Sequence, residues 1–188
     1  MHDIEPYYNW RHIYVSEEDQ RSPFYNRQYS EFEFTATVYN YYIHPQWDDF
    51  GSRTLYLKVL LADYEEKYVV IELLGEWNDA INNDIMMLKR NLIQFLLKNG
   101  INKYILIGEN ILNFHGSDDC YYEEWFEEVE DGWIAPVSCA EFIQEELRKY
   151  NIDHYINMGG TLQIDRWRTL QPLHFYELID RLIQRRLN

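Results

Sequence analysis

The clearest pattern of hydrophobic and polar positions lies between residues 54 and 116. Two apolar runs, at 55–61 and 68–74, have the length and composition of β-strands, and the polar residues 63–67 separate them. A link this short can join only antiparallel neighbours, so the sequence predicts a β-hairpin.

A helix is predicted over residues 80–98, directly after the second strand. Asn78 is a suitable N-cap, and Asn99 with Gly100 is typical of a helix end. The apolar run at 104–107 then predicts a strand. A strand, a helix and a strand in succession form a right-handed crossover between parallel strands, so the sheet is expected to be mixed. The helix is predicted from apolar residues at spacings of three and four, namely Ile81, Ile85, Leu88, Leu92 and Phe95.

The segments outside this core predict further strands. Residues 31–42 alternate between apolar and polar side chains, which predicts one strand on the antiparallel side of the sheet. Residues 152–157 are interpreted as a last strand, and residues 133–137 as either a buried strand or an extended link.

Three further helices are predicted, at 118–129, 140–150 and 173–187, with Ser117 and Ser138 as caps of the first two. Residues 1–188 are therefore predicted to form a single α/β domain. Its mixed β-sheet combines antiparallel N-terminal strands with a parallel β-α-β crossover, and about four helices cover it. Residues 1–30 are expected to be an irregular, aromatic-rich segment packed on this domain.

Composition and charge narrow the classes of partner. The chain has 17 Lys and Arg against 32 Asp and Glu, a formal net charge of −15, which opposes binding to nucleic acid. A protein partner with a basic surface fits this charge, and homo-oligomerisation is left open. Two cysteines, Cys120 and Cys139, in a chain without a signal-peptide pattern predict a cytoplasmic protein. No apolar run approaches the about 20 residues that span a bilayer, so no membrane insertion is expected.

Candidate binding residues lie around the predicted strand ends, where α/β sheets gather their ligands. His115 and His154 are the best placed to act as a base, although ordinary polar histidines are commoner at strand ends. No catalytic residue, metal site or cofactor is predicted, because the sequence contains no nucleophile elbow, phosphate-binding loop or histidine pair at metal-ligand spacing. The candidate binding residues are Glu109, Asn110, His115, Ser117, Asp118 and His154.

Eight carboxylates and no cation occur between residues 118 and 131. The commoner interpretation of such a block is a solvated helix face, and the sharper one is a docking surface for a basic partner. A divalent-ion site would need oxygens that converge on one point, which helix-surface spacing does not indicate.

Two local motifs resemble those of STAS domains, which are small cytoplasmic regulatory modules related to anti-sigma-factor antagonists. Residues 70–76, Val-Ile-Glu-Leu-Leu-Gly-Glu, resemble the strand and Leu-x-Gly turn that enter the first helix of those domains. Residues 110–117 resemble the segment that leads into their second helix, with Ser117 at the position that is phosphorylated in many members. Gly116 stands where those members have aspartate. The resemblance covers about residues 69–155 and implies the fold alone.

Three functions are consistent with the sequence. The first is a non-enzymatic interaction or regulatory module that uses an acidic, aromatic surface, with residues 109–118 as its contact. The second is an enzyme or small-ligand binder with a site at the sheet edge near His115 and His154. The third is an acidic mimic of nucleic acid or a toxin-neutralising protein.

Overall fold

Four strands form the main sheet: β4 Leu55–Asp63, β5 Tyr68–Asn78, β6 Lys103–His115 and β7 Trp133–Val137. The computed structural model describes residues 2–187. The strands lie in the order β4, β5, β6, β7, with β4 antiparallel to β5 and the other neighbours parallel. The predicted hairpin, crossover and mixed sheet are confirmed, and residues 133–137 are a strand.

A second sheet contains three short strands, β1 His2–Ile4, β2 Ala36–Val38 and β3 Tyr41–Ile43, with β3 in the centre. The prediction of one strand over residues 31–42 in the main sheet is therefore wrong. The chain reverses after β2 because Tyr39 has a positive φ of 51°, as the tight turn of a two-residue hairpin requires. The alternation of side chains continues through the turn and hides it.

The predicted helix at 80–98 is broken into parts: α1 Asp79–Asn82, α2 Asp84–Leu88, a π-helical turn Lys89–Ile93 and α3 Gln94–Lys98. Asn78 caps α1 as predicted, since its side chain accepts a hydrogen bond from the Ile81 amide at 2.9 Å. Asn83 then adopts the left-handed conformation with φ 54° and interrupts the helix. As a result Ile81, predicted to face inward, is 83% exposed.

Three longer helices follow, α4 Cys120–Glu128, α5 Glu141–Lys149 and α6 Pro172–Leu187. Ser117 does not cap α4, which begins after Asp119. Ser138 does not cap α5 either, because its φ is 55° and its hydroxyl donates to the Ile164 carbonyl oxygen at 3.0 Å.

The predicted strand at 152–157 is also wrong, since the chain forms a short 3-10 turn there, Ile152–His154. The Asn157 amide donates to the Ile134 carbonyl oxygen at 2.7 Å, so this segment touches the edge of β7 without forming a strand. Two more 3-10 turns, Gly160–Leu162 and Trp167–Thr169, lead to α6.

The main sheet separates two hydrophobic layers. The consecutive residues Leu73 and Leu74 belong to clusters on opposite faces, as side chains of a strand do. On the face of Leu73, α2 to α5 pack around Trp125. On the opposite face, α6 covers one end of the sheet, and the small sheet covers the other end through contacts with Leu74.

The N-terminal segment crosses this opposite face. Its Trp10 lies against Trp167 and Phe175, with ring centroids 5.7 and 6.0 Å apart. Farther along the chain, Phe24 enters the cluster on the other face. The segment therefore contacts both layers around the β4 edge. No helix within residues 2–187 is long and apolar enough to cross a lipid bilayer.

Replacing Gly75 should strongly destabilise the protein. Gly75 has φ +115°, and a Cβ atom there would lie 2.1 Å from the Thr54 carbonyl oxygen, which is backbone and cannot rotate away. We expect Gly75→Ala to lower the free energy of unfolding by about 3 kcal/mol or more, measured by urea denaturation.

Gly100→Ala is the matched control. Gly100 also has a positive φ, +86°, but its Cβ would meet nothing within 4 Å. Gly100→Ala should lower the free energy of unfolding by only the backbone strain, about 1 to 2 kcal/mol. Equal losses in both variants would show that the contact with Thr54 is not limiting.

Candidate functional site

The structure distributes the candidate binding residues over separate places. Glu109 and Asn110 lie in the middle of β6, and His115 ends that strand. Since strand residues rise about 3.3 Å each, Glu109 and His115 are roughly 20 Å apart. Ser117 and Asp118 lie in the loop before α4, and His154 in a 3-10 turn. The strand is longer than the predicted 104–107, which is why Glu109 lies inside the sheet and not at its edge.

Glu109 belongs to a charged cluster on the α6 face of the sheet. Its Oε2 accepts a hydrogen bond from the Trp167 indole at 3.0 Å, and its Oε1 pairs with Arg168. The same guanidinium lies 3.4 Å from Oε1 of Glu72 on β5. The other oxygen of Glu72 accepts from the Tyr7 amide at 2.8 Å. Arg168 thus bridges two carboxylates from neighbouring strands.

Burial controls the electrostatics of this cluster. Glu72 is fully buried, and the loss of hydration raises its pKa to about 7, against the opposing effects of the Tyr7 amide and Arg168. Lys58 lies directly opposite Glu72 in the sheet but pairs instead with Glu17, at 2.7 Å, and Asp48, at 3.6 Å. Burial likewise raises the pKa of Asp48 to about 7.

His115 lies in a second polar cluster, at the carboxyl end of β5 and β6. Its Nε2 is 3.4 Å from Oε1 of Glu76 and 3.1 Å from the side-chain nitrogen of Asn113. Glu76 also accepts hydrogen bonds from Asn78, at 3.0 Å, and from the Tyr39 hydroxyl. His115 is exposed, so its ring is accessible from solvent.

A third group of side chains covers the outer side of α4. Phe126 is 47% exposed, and its ring centroid lies 6.0 Å from that of Tyr155. The Tyr155 hydroxyl donates to Oδ2 of Asp119 at 3.3 Å. We call this group the α4 surface: Asp118, Asp119, Glu123, Phe126, Glu127, Glu130 and Tyr155.

Three predicted residues lie within or beside the α4 surface. Asp118 is exposed, and its Oδ1 accepts from the Cys120 amide at 3.2 Å. Ser117 precedes it and is half-buried. His154 is exposed, with its ring centroid 6.4 Å from that of Tyr155. The structure thus places Ser117, Asp118 and His154 near one another and apart from Glu109.

Sequence reasoning missed the other members of the clusters that contain Glu109 and His115. Glu72 carries a usable signal, because it is the one carboxylate in the apolar run 68–74 and a buried charge needs a partner. Arg168 gives no local signal, since it is 96 residues away from Glu72 in the sequence.

Metal binding finds no geometric support in the described chain, where no three His, Cys, Asp or Glu side chains are grouped to hold an ion. Cys120 is exposed and free, whereas Cys139 is free and buried, and burial raises the pKa of its thiol to about 12. No cofactor site is assigned.

Comparisons with known proteins give a similarity to solved structures. No protein-family model matches the chain. A search of curated proteins finds no match either. The chain is similar to a solved structure titled "Structure of the Anti-Sigma Factor Antagonist SpoIIAA in its Unphosphorylated Form". The two are 13% identical, with a TM-score of 0.42, over 61% of this chain and 98% of that one. The resemblance expected from residues 69–155 thus has a counterpart among solved structures, at this level of similarity.

Glu72 should make stability depend on pH in an unusual direction. Because its folded pKa of about 7 lies above the ordinary value of 4.5, the folded state holds a proton that the unfolded state releases. The contribution of Glu72 to the free energy of unfolding is therefore fully present below about pH 4.5 and is lost as the pH rises through 7. The free energy of unfolding of Glu72→Gln, relative to that of wild type, should rise by on the order of 2 to 3 kcal/mol between about pH 5 and pH 8, measured by urea unfolding.

Glu65→Gln is the control, since Glu65 is exposed on the β4–β5 hairpin. The difference in unfolding free energy between Glu65→Gln and wild type should change little over the same pH range. A Glu72→Gln difference that stays constant with pH would contradict a raised pKa.

Proposed function

We propose that this protein is a non-enzymatic interaction module that binds a basic protein partner through the α4 surface. The observation that carries the proposal is an exposed aromatic ring framed by carboxylates. Glu123, Phe126, Glu127 and Glu130 are spaced at i, i+3, i+4 and i+7, which places them along one side of α4 and its C-terminal turn.

The carboxylates of this side have no internal cation. Among residues 2–187, no Lys, Arg or His side chain lies within ion-pair distance of Glu123, Glu127 or Glu130. By contrast, Glu124 and Glu128 of the same helix pair with the buried Lys89, the latter at 3.0 Å. Lys89 therefore offsets part of the negative charge on the edge of α4 toward the core, whereas the outer side has no such cation among residues 2–187.

Charge repulsion within α4 disfavours this arrangement in the isolated protein. Glu123 and Glu127 are four residues apart, and like charges at that spacing destabilise a helix by a few tenths of a kcal/mol. A partner that supplies Lys or Arg side chains would relieve the repulsion. The exposed ring of Phe126 would add apolar contact and stack with the arriving cations.

Exposure favours docking over catalysis at this place. Asp118 and His154 are exposed and Ser117 is half-buried, which leaves them open to a macromolecular surface. A catalytic site would instead hold its polar groups in a concave, largely enclosed cleft.

Neutralising the α4 surface should weaken binding to a basic probe. We expect an oligo-arginine peptide of about eight residues to shift the amide NMR signals of α4, and to do so less at higher salt. Glu123→Gln/Glu127→Gln/Glu130→Gln should weaken the affinity about tenfold, since three exposed charge pairs contribute roughly 1 to 2 kcal/mol.

A matched variant removes three exposed carboxylates elsewhere, at Glu65, Glu66 and Glu145. This Glu65→Gln/Glu66→Gln/Glu145→Gln control keeps the same net charge as the α4 variant and should bind almost as well as wild type. Equal weakening in both triple variants would show that only net charge matters, and the proposal would fail.

The same substitutions should also stabilise the free protein. Removing the repulsion between the carboxylates of α4 should raise the free energy of unfolding by about 0.5 kcal/mol at low salt, measured by urea denaturation. A loss of stability in Glu123→Gln/Glu127→Gln/Glu130→Gln would mean that these residues stabilise the fold rather than bind a partner.

A further inference from the structure

Residues 31–35 have a strand-forming sequence but no strand partner. They continue the alternating pattern of β2 toward the N-terminus, as Glu-Phe-Glu-Phe-Thr. Pairing of β2 with β3 nevertheless stops at Ala36, opposite Ile43. The backbone groups of Phe34 and Thr35 form no hydrogen bond with any other part of the described chain.

The cause lies in the strand opposite. If the register continued, Thr35 would face His44 and Phe34 would face Pro45. Proline has no amide to donate to a ladder. The chain also turns away there, because the Trp47 amide donates to the His44 carbonyl oxygen at 3.1 Å. β3 therefore cannot extend, and the strand-forming residues 31–35 are left unpaired.

The other edge of β2 is open as well. β2 is the outermost strand of the small sheet, and neither proline nor charge protects its sequence Ala-Thr-Val. Proteins usually protect such an edge, because its free amide and carbonyl groups pair readily with another chain. A groove of about 430 Å³ lies where the chain before β2 separates from the chain after β3, with Glu33, Thr35, His44, Pro45 and Trp47 among its walls.

Exposed aromatic side chains accompany this edge. The side chain of Phe32 is 85% exposed, and its backbone amide donates a hydrogen bond to the Ser30 hydroxyl at 3.1 Å. Phe34 and Tyr42 are about 40% exposed, at 39% and 41%, and their ring centroids are 6.1 Å apart. Exposed aromatic side chains grouped in this way are typical of an interaction site.

The charges beside the open edge of β2 indicate which kind of segment would bind there. Glu31 and Glu33 alternate with the two phenylalanines just before β2. Within residues 2–187, neither of these two carboxylates pairs with a cation. A strand that carries Lys or Arg would place its cations against these carboxylates and over the aromatic rings.

We propose that residues 31–38 bind an extended, Lys- or Arg-containing segment of a partner protein, which adds to the small sheet as a strand along β2. Backbone hydrogen bonds would supply affinity, and the carboxylates and rings would select a cationic, alternating sequence. This site shares no residue with the α4 surface and does not depend on it.

A second copy of this chain is the less suitable occupant. Each copy has a net charge of −15, and pairing two 31–38 segments would bring their carboxylates into one small sheet. Like charges near one another across a strand pair are destabilising. Complementary charge therefore favours a basic partner over self-association.

The test uses the full chain and a peptide of about eight residues with alternating arginine and valine. Its binding is followed by amide NMR signals, which should shift at residues 31–38. Two further peptides carry N-methyl groups on the odd or on the even residues. Because only alternate residues of an added strand face β2, one N-methylated peptide should lose on the order of tenfold or more in affinity, and the other little.

The protein supplies a second comparison. Glu31→Gln/Glu33→Gln should weaken the unmodified peptide several-fold, whereas Glu65→Gln/Glu66→Gln, with the same change in charge, should not. Three outcomes would each overturn the proposal. The two N-methylated peptides could bind equally well, the NMR shifts could be confined to α4, or the free chain could form a dimer through residues 31–38. Shifts confined to α4 would still support the α4 surface, so the two proposals fail separately.

Discussion

Three charged side chains lie next to one another on one face of the main sheet, Lys58 on β4, Glu72 on β5 and Glu109 on β6. A charge on a buried sheet face is costly unless a partner neutralises it. None of the three is paired with another of the three, so their partners must come from other parts of the chain. The rest of that face is arranged around this requirement.

The partners are residues far away in the sequence. Glu17 of the N-terminal segment reaches Lys58, and Arg168 of the last 3-10 turn reaches both Glu72 and Glu109. Tyr7 connects the two ends, because its amide donates to Glu72 and its hydroxyl donates to the Arg168 carbonyl oxygen at 2.7 Å. The charged row therefore fixes both terminal segments on the sheet. It also divides the apolar residues of this face into the cluster under α6 and the cluster under the small sheet.

The sequence predicts well what is determined locally. The β4–β5 hairpin and the crossover from β5 to β6 follow from periodicity, a cap and short links, all within about 60 consecutive residues. It fails where a turn preserves the alternation, as at Tyr39, and where one residue adopts a left-handed conformation, as at Asn83. The candidate site divides in the same way. Ser117 and Asp118 follow the end of β6 as predicted, but His154 lies in a 3-10 turn and not at the end of a strand. The pairing of Glu109 with Arg168 depends on contacts between distant segments, which no local pattern contains.

Internal ion pairs determine which carboxylates of the protein remain without a cation. Lys58, Lys89 and Arg168 each lie between two carboxylates inside or at the margin of the protein, so each is used to satisfy internal groups. The outer carboxylates of α4, Glu123, Glu127 and Glu130, and those of residues 31–33 have no cation within ion-pair distance among residues 2–187, and their field extends into solvent. Such a field raises the rate at which an oppositely charged protein is captured, and salt screens it. α4 packs on the face of Leu73 and the small sheet on the face of Leu74, so the two acidic, aromatic surfaces lie on opposite sides of the main sheet. The two proposed docking surfaces therefore do not overlap.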